Sequence, residues 1–350
     1  MKMLEMFSGI GGFRYGMEAA GFKFDWVGFS EIDKYASECY KNHWTGSEEL
    51  GDATTINVSR LPKIDILVGG FPCQAFSIAG KRKGFEDTRG TLFFEIARIA
   101  KGKRVPVIFL ENVKGLLSHD EGRTFKTIIR TLNELGYIVQ WQVLNSKDHR
   151  VPQNRERVFI VGHLGKERFR KVFPIGENIT RTTERTKQPT VNTLTAGGGH
   201  SGGMHSSMTL LELTKDKSQG YRIYDADGLS TTIASGAGGI GAKTGLYMVK
   251  EATKKGYAEA GPGDSINFSV PDSKTRRGRV GVGVANTLDT SCSQGVINDH
   301  RIRRLTPVEC ERLQGFPDNW TEGFSDTQRY KMCGNAVTTN VIKDIALTLL

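Results

Sequence analysis

The sequence predicts an α/β fold in which a mostly parallel sheet, covered by helices on both faces, is interrupted by a smaller, mostly β and irregular domain. Three observations predict it. Short apolar runs alternate with helical patterns along the first half, as repeated βαβ units do. A glycine-rich turn follows the first run and opens a helix. From about Phe173 the character changes to Gly, Thr and Ser, and 21 of the 42 glycines fall between His163 and Arg304, which marks a second region of short strands joined by glycine loops.

The first run, Lys2 to Phe7, leads into Phe7-Ser8-Gly9-Ile10-Gly11-Gly12-Phe13. Arg14 stands where a dinucleotide fingerprint needs its third glycine, so a pyrophosphate ligand is disfavoured. A second run, Trp26 to Glu31, ends at Glu31-Ile32-Asp33, where an acid can accept from ribose hydroxyls, and Asp52 follows another extended segment. Acids without a phosphate-binding lysine suit a nucleoside lacking phosphates, and S-adenosyl-L-methionine is the commonest such cofactor.

The run Ile64 to Val68 passes through Gly69 and Gly70 into Phe71-Pro72-Cys73-Gln74, which places a thiol at the carboxyl end of a buried strand, where open α/β sheets bind ligands. Val107 to Glu111 continues into Asn112-Val113, so Glu111 sits at the end of a strand on the same sheet edge. Gln153-Asn154-Arg155-Glu156-Arg157 precedes the run Val158 to Val161 and puts two guanidinium groups on alternate residues, on one face if extended. Cys73 with Glu111, Arg155 and Arg157 makes a plausible site for an anionic intermediate. Helices are expected at Tyr35 to His43, Leu92 to Ala100 and Thr124 to Leu135.

In the second region one motif recurs in degenerate form, at Asn192 to Gly197, Ser230 to Gly236 and Asn286 to Ser291, too unevenly spaced for a solenoid. Beyond it Thr306, Pro307 and Glu309 read as a cap, first-turn proline and capping box, and Asn335 to Leu350 reads as a terminal helix.

The net charge of +10 points to a polyanionic partner, and 21 Lys and Arg against 13 Asp and Glu between His163 and Arg304 locate most of the surplus in the second region. Lys274, Arg276, Arg277 and Arg279 form a dense basic cluster expected to contact phosphate. No run approaches the 18 consecutive apolar residues of a membrane span, and Met1-Lys2-Met3-Leu4-Glu5 has no cleavable leader, so a cytoplasmic protein is expected. Five scattered cysteines lack the spacing of a zinc site, so no metal is expected.

These motifs, in this order and spacing, resemble the DNA (cytosine-5)-methyltransferases of bacteria and phages over nearly the whole chain: Phe7 to Phe13, Glu31 to Asp33, Gly51-Asp52, Gly69 to Ser77, Arg89 to Arg98, Glu111 to Val113, Gln153 to Gly162, Arg303 to Asp318 and Gly334 to Val337. The resemblance implies a Rossmann-like S-adenosylmethionine-dependent methyltransferase domain over 1–172 and 325–350, with a target recognition domain and hinge over 173–324. It implies that Cys73 adds to carbon 6 of a flipped cytosine, Glu111 serves ring nitrogen 3, Arg157 binds the base carbonyl and Arg155 holds the site's geometry. Phe7, Gly9, Ile10, Gly11 and Gly12 would surround the methionine part of the cofactor. Glu31 would serve its ribose, Ile32 and Asp52 its adenine, and Pro72, Leu92, Asn335 and Val337 would complete the pocket.

Ala79 to Asp87 resembles the family's mobile DNA-closing loop, which with its flanks offers Gln74, Ser77, Lys81, Arg82, Lys83 and Arg89 to DNA. Thr232 is taken as the threonine near the target base, from the second copy of the recurring motif. The expected partner is double-stranded DNA, bound by a monomer, with a cognate restriction endonuclease that forms no stable complex. An RNA cytosine-5 methyltransferase and a non-catalytic DNA-binding relative are the alternatives; the long basic insert favours DNA.

Overall fold

A computed structural model describes residues 1–72, 92–175, 224–225, 247–270, 273, 275–298 and 301–350. Its centre is a seven-stranded sheet in the order β3-β2-β1-β4-β5-β8-β6. The strands are β1 (Lys2–Met6), β2 (Trp26–Ser30), β3 (Glu48–Glu49), β4 (Ile66–Gly70), β5 (Val107–Val113), β6 (Tyr137–Asn145) and β8 (Glu156–Leu164), with the short β7 (Gln153–Asn154) outside the sheet. Neighbours from β3 to β5 are parallel, while β8 runs antiparallel to both β5 and β6. The strand order reverses between β1 and β4, which opens a crevice at their carboxyl ends.

Helices α1 (Gly12–Ala19), α2 (Lys34–His43), α3 (Leu92–Lys103) and α4 (Arg123–Glu134) connect the strands. Their apolar stripes bury two layers. Leu4, Met6, Leu67, Phe93, Ile96 and Ile128 form one, and Met3, Phe13, Met17, Val68 and Phe109 form the other with Val341, Ile342 and Ile345 of the chain's end. Strand β6 is missing from the sequence expectation because it is a half-exposed edge that lacks a pure apolar run. Its Gln140 and Gln142 instead bind the backbone of Arg170, Val172 and Ile175, tying down the chain where the second region begins.

The second region contributes β9 (Tyr224–Asp225), β10 (Tyr247–Lys250) and β11 (Tyr257–Ala260) as one small sheet. A second sheet, β13-β12-β15-β16, contains β12 (Ser265–Asn267), β13 (Val280–Gly281), β15 (Gln294–Asn298) and β16 (Arg301–Arg304). Strand β14 (Ala285–Asn286) pairs with β7 of the first domain. Arg279 corrects one expectation: it is only 1% exposed, and it donates to the carbonyls of Asn267 and Lys250, joining the two small sheets instead of facing phosphate.

The chain closes with α5 (Pro307–Leu313), α6 (Asp326–Asn335) and α7 (Thr339–Ala346). Thr306 and Glu309 form the expected capping box. The expected single helix from Asn335 onward is in fact the end of α6, a break and then α7. At the break the carbonyls of Gly334 and Ala336 accept from Arg155, and the Thr338 hydroxyl donates to Gln314, so the backbone there is held by tertiary bonds. Among the described residues no helix is long and apolar enough to cross a membrane.

Candidate active site

The carboxyl ends of β1 and β2 build one half of the crevice. Phe7 turns the chain with φ at 54°, and Gly9 donates to Glu31 Oε2 at 2.8 Å. Glu31 Oε1 accepts from the amides of Ile32 and Asp33 at 2.9 and 2.8 Å, so three amides orient a carboxylate that keeps further acceptor capacity. Gly11 adopts φ +83°, and a Cβ there would lie 2.2 Å from the Trp44 ring, so only glycine fits. Gly12 lies against Val337, whose Cγ1 would stand 2.6 Å from an added Cβ, which brings the far end of the chain to the turn. The Ile10 side chain is buried with Phe316 and Trp320, leaving its backbone to the turn.

Ser30 donates to the carbonyl of Gly51 at 2.6 Å, placing Asp52 beside the end of β2, where its Oδ1 accepts from the Thr54 amide and hydroxyl. Ile32 is 79% exposed, an apolar platform facing outward between Glu31 and Asp33. Leu92 opens α3, Pro72 follows β4, and Asn335 ends α6. The turn fits a nucleoside cofactor without phosphates. Gly9 and Gly51 have open space where a side chain would be, Ser8 Oγ is buried without a partner, and an acid and an apolar surface stand at the next strand end.

The ends of β4 and β5 build the other half. Gly70 and Glu111 are register partners, and the Glu111 Oε2 would stand 3.1 Å from a Cβ on Gly70, so the carboxylate lies directly over the backbone. Arg157 Nε lies 3.0 Å from Glu111 Oε1. Asn112 Nδ2 donates to the carbonyl of Phe71 at 2.7 Å, pinning the residue two before Cys73. Cys73 itself, with Gln74, Ser77, Lys81, Arg82, Lys83, Arg89, Thr232 and Lys274, lies outside the described residues.

The two arginines do not share a face. Arg157 sits in β8 and reaches Glu111, whereas Arg155 lies between β7 and β8 and turns inward. Its guanidinium donates to the carbonyls of Leu288, Gly334 and Ala336 at 3.3, 3.3 and 2.8 Å, and Nε is buried without a partner. Burial pulls its pKa down to about 9, with repulsion from Arg157 adding and attraction to Glu111 opposing. It is the pin on which three chain segments meet.

Sequence reasoning passed over Gln153 and Asn112. Fully buried Gln153 donates to the carbonyl of Leu313 at 2.8 Å and accepts from the amide of Leu288 at 2.9 Å. Thr287 donates to the carbonyl of Asn154 at 2.7 Å. The third copy of the recurring motif is therefore docked beside Arg155, a placement available in the sequence only as one choice among three. Among the basic residues offered to DNA, Arg276 donates to Ser269 O at 2.8 Å, and Arg277 is exposed with its Nε on Ala252 O.

The family model for C-5 cytosine-specific DNA methylases matches residues 1–350. The Type II methyltransferase M.HhaI of Haemophilus parahaemolyticus is 33% identical over 100% of this chain and 94% of its own length. The orphan methyltransferase M.SPRI of Bacillus phage SPR is 32% identical over 99% and 96%. The crystal structure of the Schizosaccharomyces pombe Dnmt2 methyltransferase superposes with a TM-score of 0.58 at 18% identity, covering 100% of this chain and 98% of that one, which shows the shared fold. With the glycine turn, the acids beside it and the Glu111–Arg157 pair set around one crevice, the chain belongs to the C-5 cytosine-specific DNA methylases and is a DNA cytosine-5 methyltransferase.

Proposed function

We propose that the crevice transfers a methyl group to carbon 5 of a cytosine flipped from double-stranded DNA, through a covalent bond between Cys73 and carbon 6. The observation that carries this reading is the convergence at the ends of β4 and β5. Glu111 stands over Gly70 in a 3.0 Å pair with Arg157, and Asn112 holds Phe71, so an acid and a cation stand beside the end of β4, the strand that Cys73 follows in the sequence.

The Cys73 thiolate adds to carbon 6, while Glu111 delivers a proton or hydrogen bond to ring nitrogen 3 and Arg157 binds the base carbonyl. Electron density reaches carbon 5, which takes the methyl group. Loss of the carbon 5 proton to a base then expels the thiolate and restores Cys73. S-adenosyl-L-methionine supplies the methyl group as a sulfonium substituent. Glu31 would hold its ribose, Ile32 its adenine, Asp52 the adenine amino group, and the turn from Phe7 to Gly12 its methionine part, closed by Pro72, Leu92, Asn335 and Val337. A stacked base cannot reach this crevice, so the cytosine must leave the helix.

The division of labour follows the chain. Residues 1–172 and 325–350 would carry the reaction, while 173–324 would read DNA. Docking on Asn154 favours Thr287, in place of Thr232, as the threonine beside the target base. Type II and phage relatives support a role in restriction-modification or phage DNA modification. The enzyme would act in the bacterial cytoplasm as a monomer, without a stable endonuclease complex.

The test is label transfer from tritiated cofactor to duplex DNA by the parent and by Cys73→Ser. The parent should label DNA and form a covalent adduct with DNA containing 5-fluorocytosine, and the variant should do neither. Transfer surviving in Cys73→Ser would overturn the thiol mechanism.

A further inference from the structure

Asp52 stands at the head of a single 3₁₀ turn, Ala53–Thr55. Its Oδ1 accepts from the Thr54 amide at 2.9 Å and its carbonyl from the Thr55 amide at 3.0 Å, bonds that fix these residues to one another but not to the rest of the fold. On the near side the chain is anchored by Ser30, which donates to the carbonyl of Gly51. On the far side the buried side chains of Ala53 and Ile56 join the same apolar layer as Phe93, Ile96, Ala97 and Ala100 of α3. Apolar burial is non-directional, so it holds the turn close without aiming its carboxylate.

Arg98 of α3 supplies the direction. Its Nη1 donates to the carbonyl of Ile56 at 2.9 Å and its Nη2 to the carbonyl of Ala53 at 3.2 Å, so one guanidinium spans the turn. Glu95, one helical turn earlier, accepts from Arg98 Nε at 2.7 Å. A planar fork held on two carbonyls and a carboxylate has little freedom left to rotate. Leu92, Glu95 and Arg98 are successive neighbours along α3 at a spacing of three, so the residue that opens the helix and the one that grips the turn belong to one rigid element.

We propose that Arg98 is a positioning residue for the adenine end of the cofactor: it clamps the turn after Asp52 to α3, so that Leu92 and the Asp52 carboxylate keep a fixed separation. This rests on reading Asp52 as the acceptor for the adenine amino group. Arg98 acts through the carbonyls of Ala53 and Ile56, not by touching the cofactor. Its effect therefore falls on selectivity. A carboxylate held in place rejects a ligand that presents a carbonyl where the amino donor belongs, whereas one free to swing away does not.

The experiment is calorimetric binding of S-adenosylhomocysteine and of S-inosylhomocysteine, in which a carbonyl replaces the adenine amino group, to the full chain without DNA. The parent should prefer the adenine form by about tenfold or more. Arg98→Ala should lose most of that preference, binding S-adenosylhomocysteine about five- to tenfold more weakly and the inosine form within about twofold of the parent. Arg98→Lys, a point donor that cannot span both carbonyls, should fall between, and it takes the place of Arg98→Ala should that variant fail to fold. Lys103, near the end of α3, donates to the carbonyl of Leu61 and ties the same segment down beyond the turn, so Lys103→Ala should keep the parent's preference. Full preference retained in the Arg98 variants, an equal loss of both ligands, or the same loss of preference in Lys103→Ala would overturn the proposal. A parent that binds the two ligands equally would instead remove the reading of Asp52 as the adenine acceptor, and this proposal with it.

Discussion

At Arg155, 3% exposed, the guanidinium donates to three backbone carbonyls from two distant parts of the chain. A lysine is a point donor and cannot span that set. Arg155→Lys should therefore lower unfolding stability by about 3 kcal/mol, read from the urea midpoint, because the carbonyls of Leu288 and Ala336 lose a buried charged partner. An unchanged midpoint would show that the pin is dispensable. Asn112 acts at one remove from the reaction, through the carbonyl of Phe71. Asn112→Ala should cost about 1–3 kcal/mol and lower kcat, while affinity for S-adenosylhomocysteine stays at the parent value. If both parameters fall together, Asn112 does more than place the Cys73 turn.

The turn between β1 and α1 depends on a backbone that only glycine adopts comfortably. Gly11→Ala meets φ +83° and the Trp44 ring at once, so it combines left-handed strain of about 1–2 kcal/mol with a steric clash. Cofactor affinity should drop by tenfold or more, with a smaller change in thermal midpoint, and titration with S-adenosylhomocysteine separates the two. The start of α5 is a simpler case. Thr306 accepts from the Glu309 amide while Glu309 accepts from the Thr306 amide, and Arg303 holds Glu309 at 2.7 Å. Thr306→Ala should cost about 0.5–2 kcal/mol of stability by thermal melting. A variant that melts with the parent would mean that the Arg303 pair suffices to fix the helix start.

Across the whole molecule the C-terminal helix is locked by a buried pair to the turn that precedes β7. His149 Nδ1 lies 2.7 Å from Asp344 Oδ2, and Arg150 reaches the other oxygen at 2.5 Å. Burial alone would raise the Asp344 pKa, but its bonds to His149 and Arg150 outweigh it and the net shift is downward. A depressed acid adds stability above its unfolded pKa and loses it as the pH falls through the folded one. Asp344→Asn should therefore be less stable than the parent at pH 6 by about 1–3 kcal/mol, with the gap closing on acidification below about pH 4. A gap that persists in strong acid would assign the effect to packing. The pair matters for the site because α7 packs on α1, where Gly16 would press a Cβ to 2.7 Å from Ile342.

Local chemistry made much of this protein legible. Short, mostly apolar runs marked β1, β4 and β5, since strands buried in a parallel sheet are rich in apolar residues. Glu31 and Glu111 could be placed near strand ends for the same reason. The Thr306 capping box was visible because its partners stand three residues apart. Tertiary structure alone decided which way Arg155 points, because its acceptors at Leu288, Gly334 and Ala336 lie 133 to 181 residues away. It likewise buried Arg279, which reads in sequence as one more surface cation. It also docked the third copy of the recurring motif against β7, a pairing that depends on where the second region folds back. Short-range pattern records what each segment prefers, while long-range hydrogen bonds and burial settle what each side chain meets.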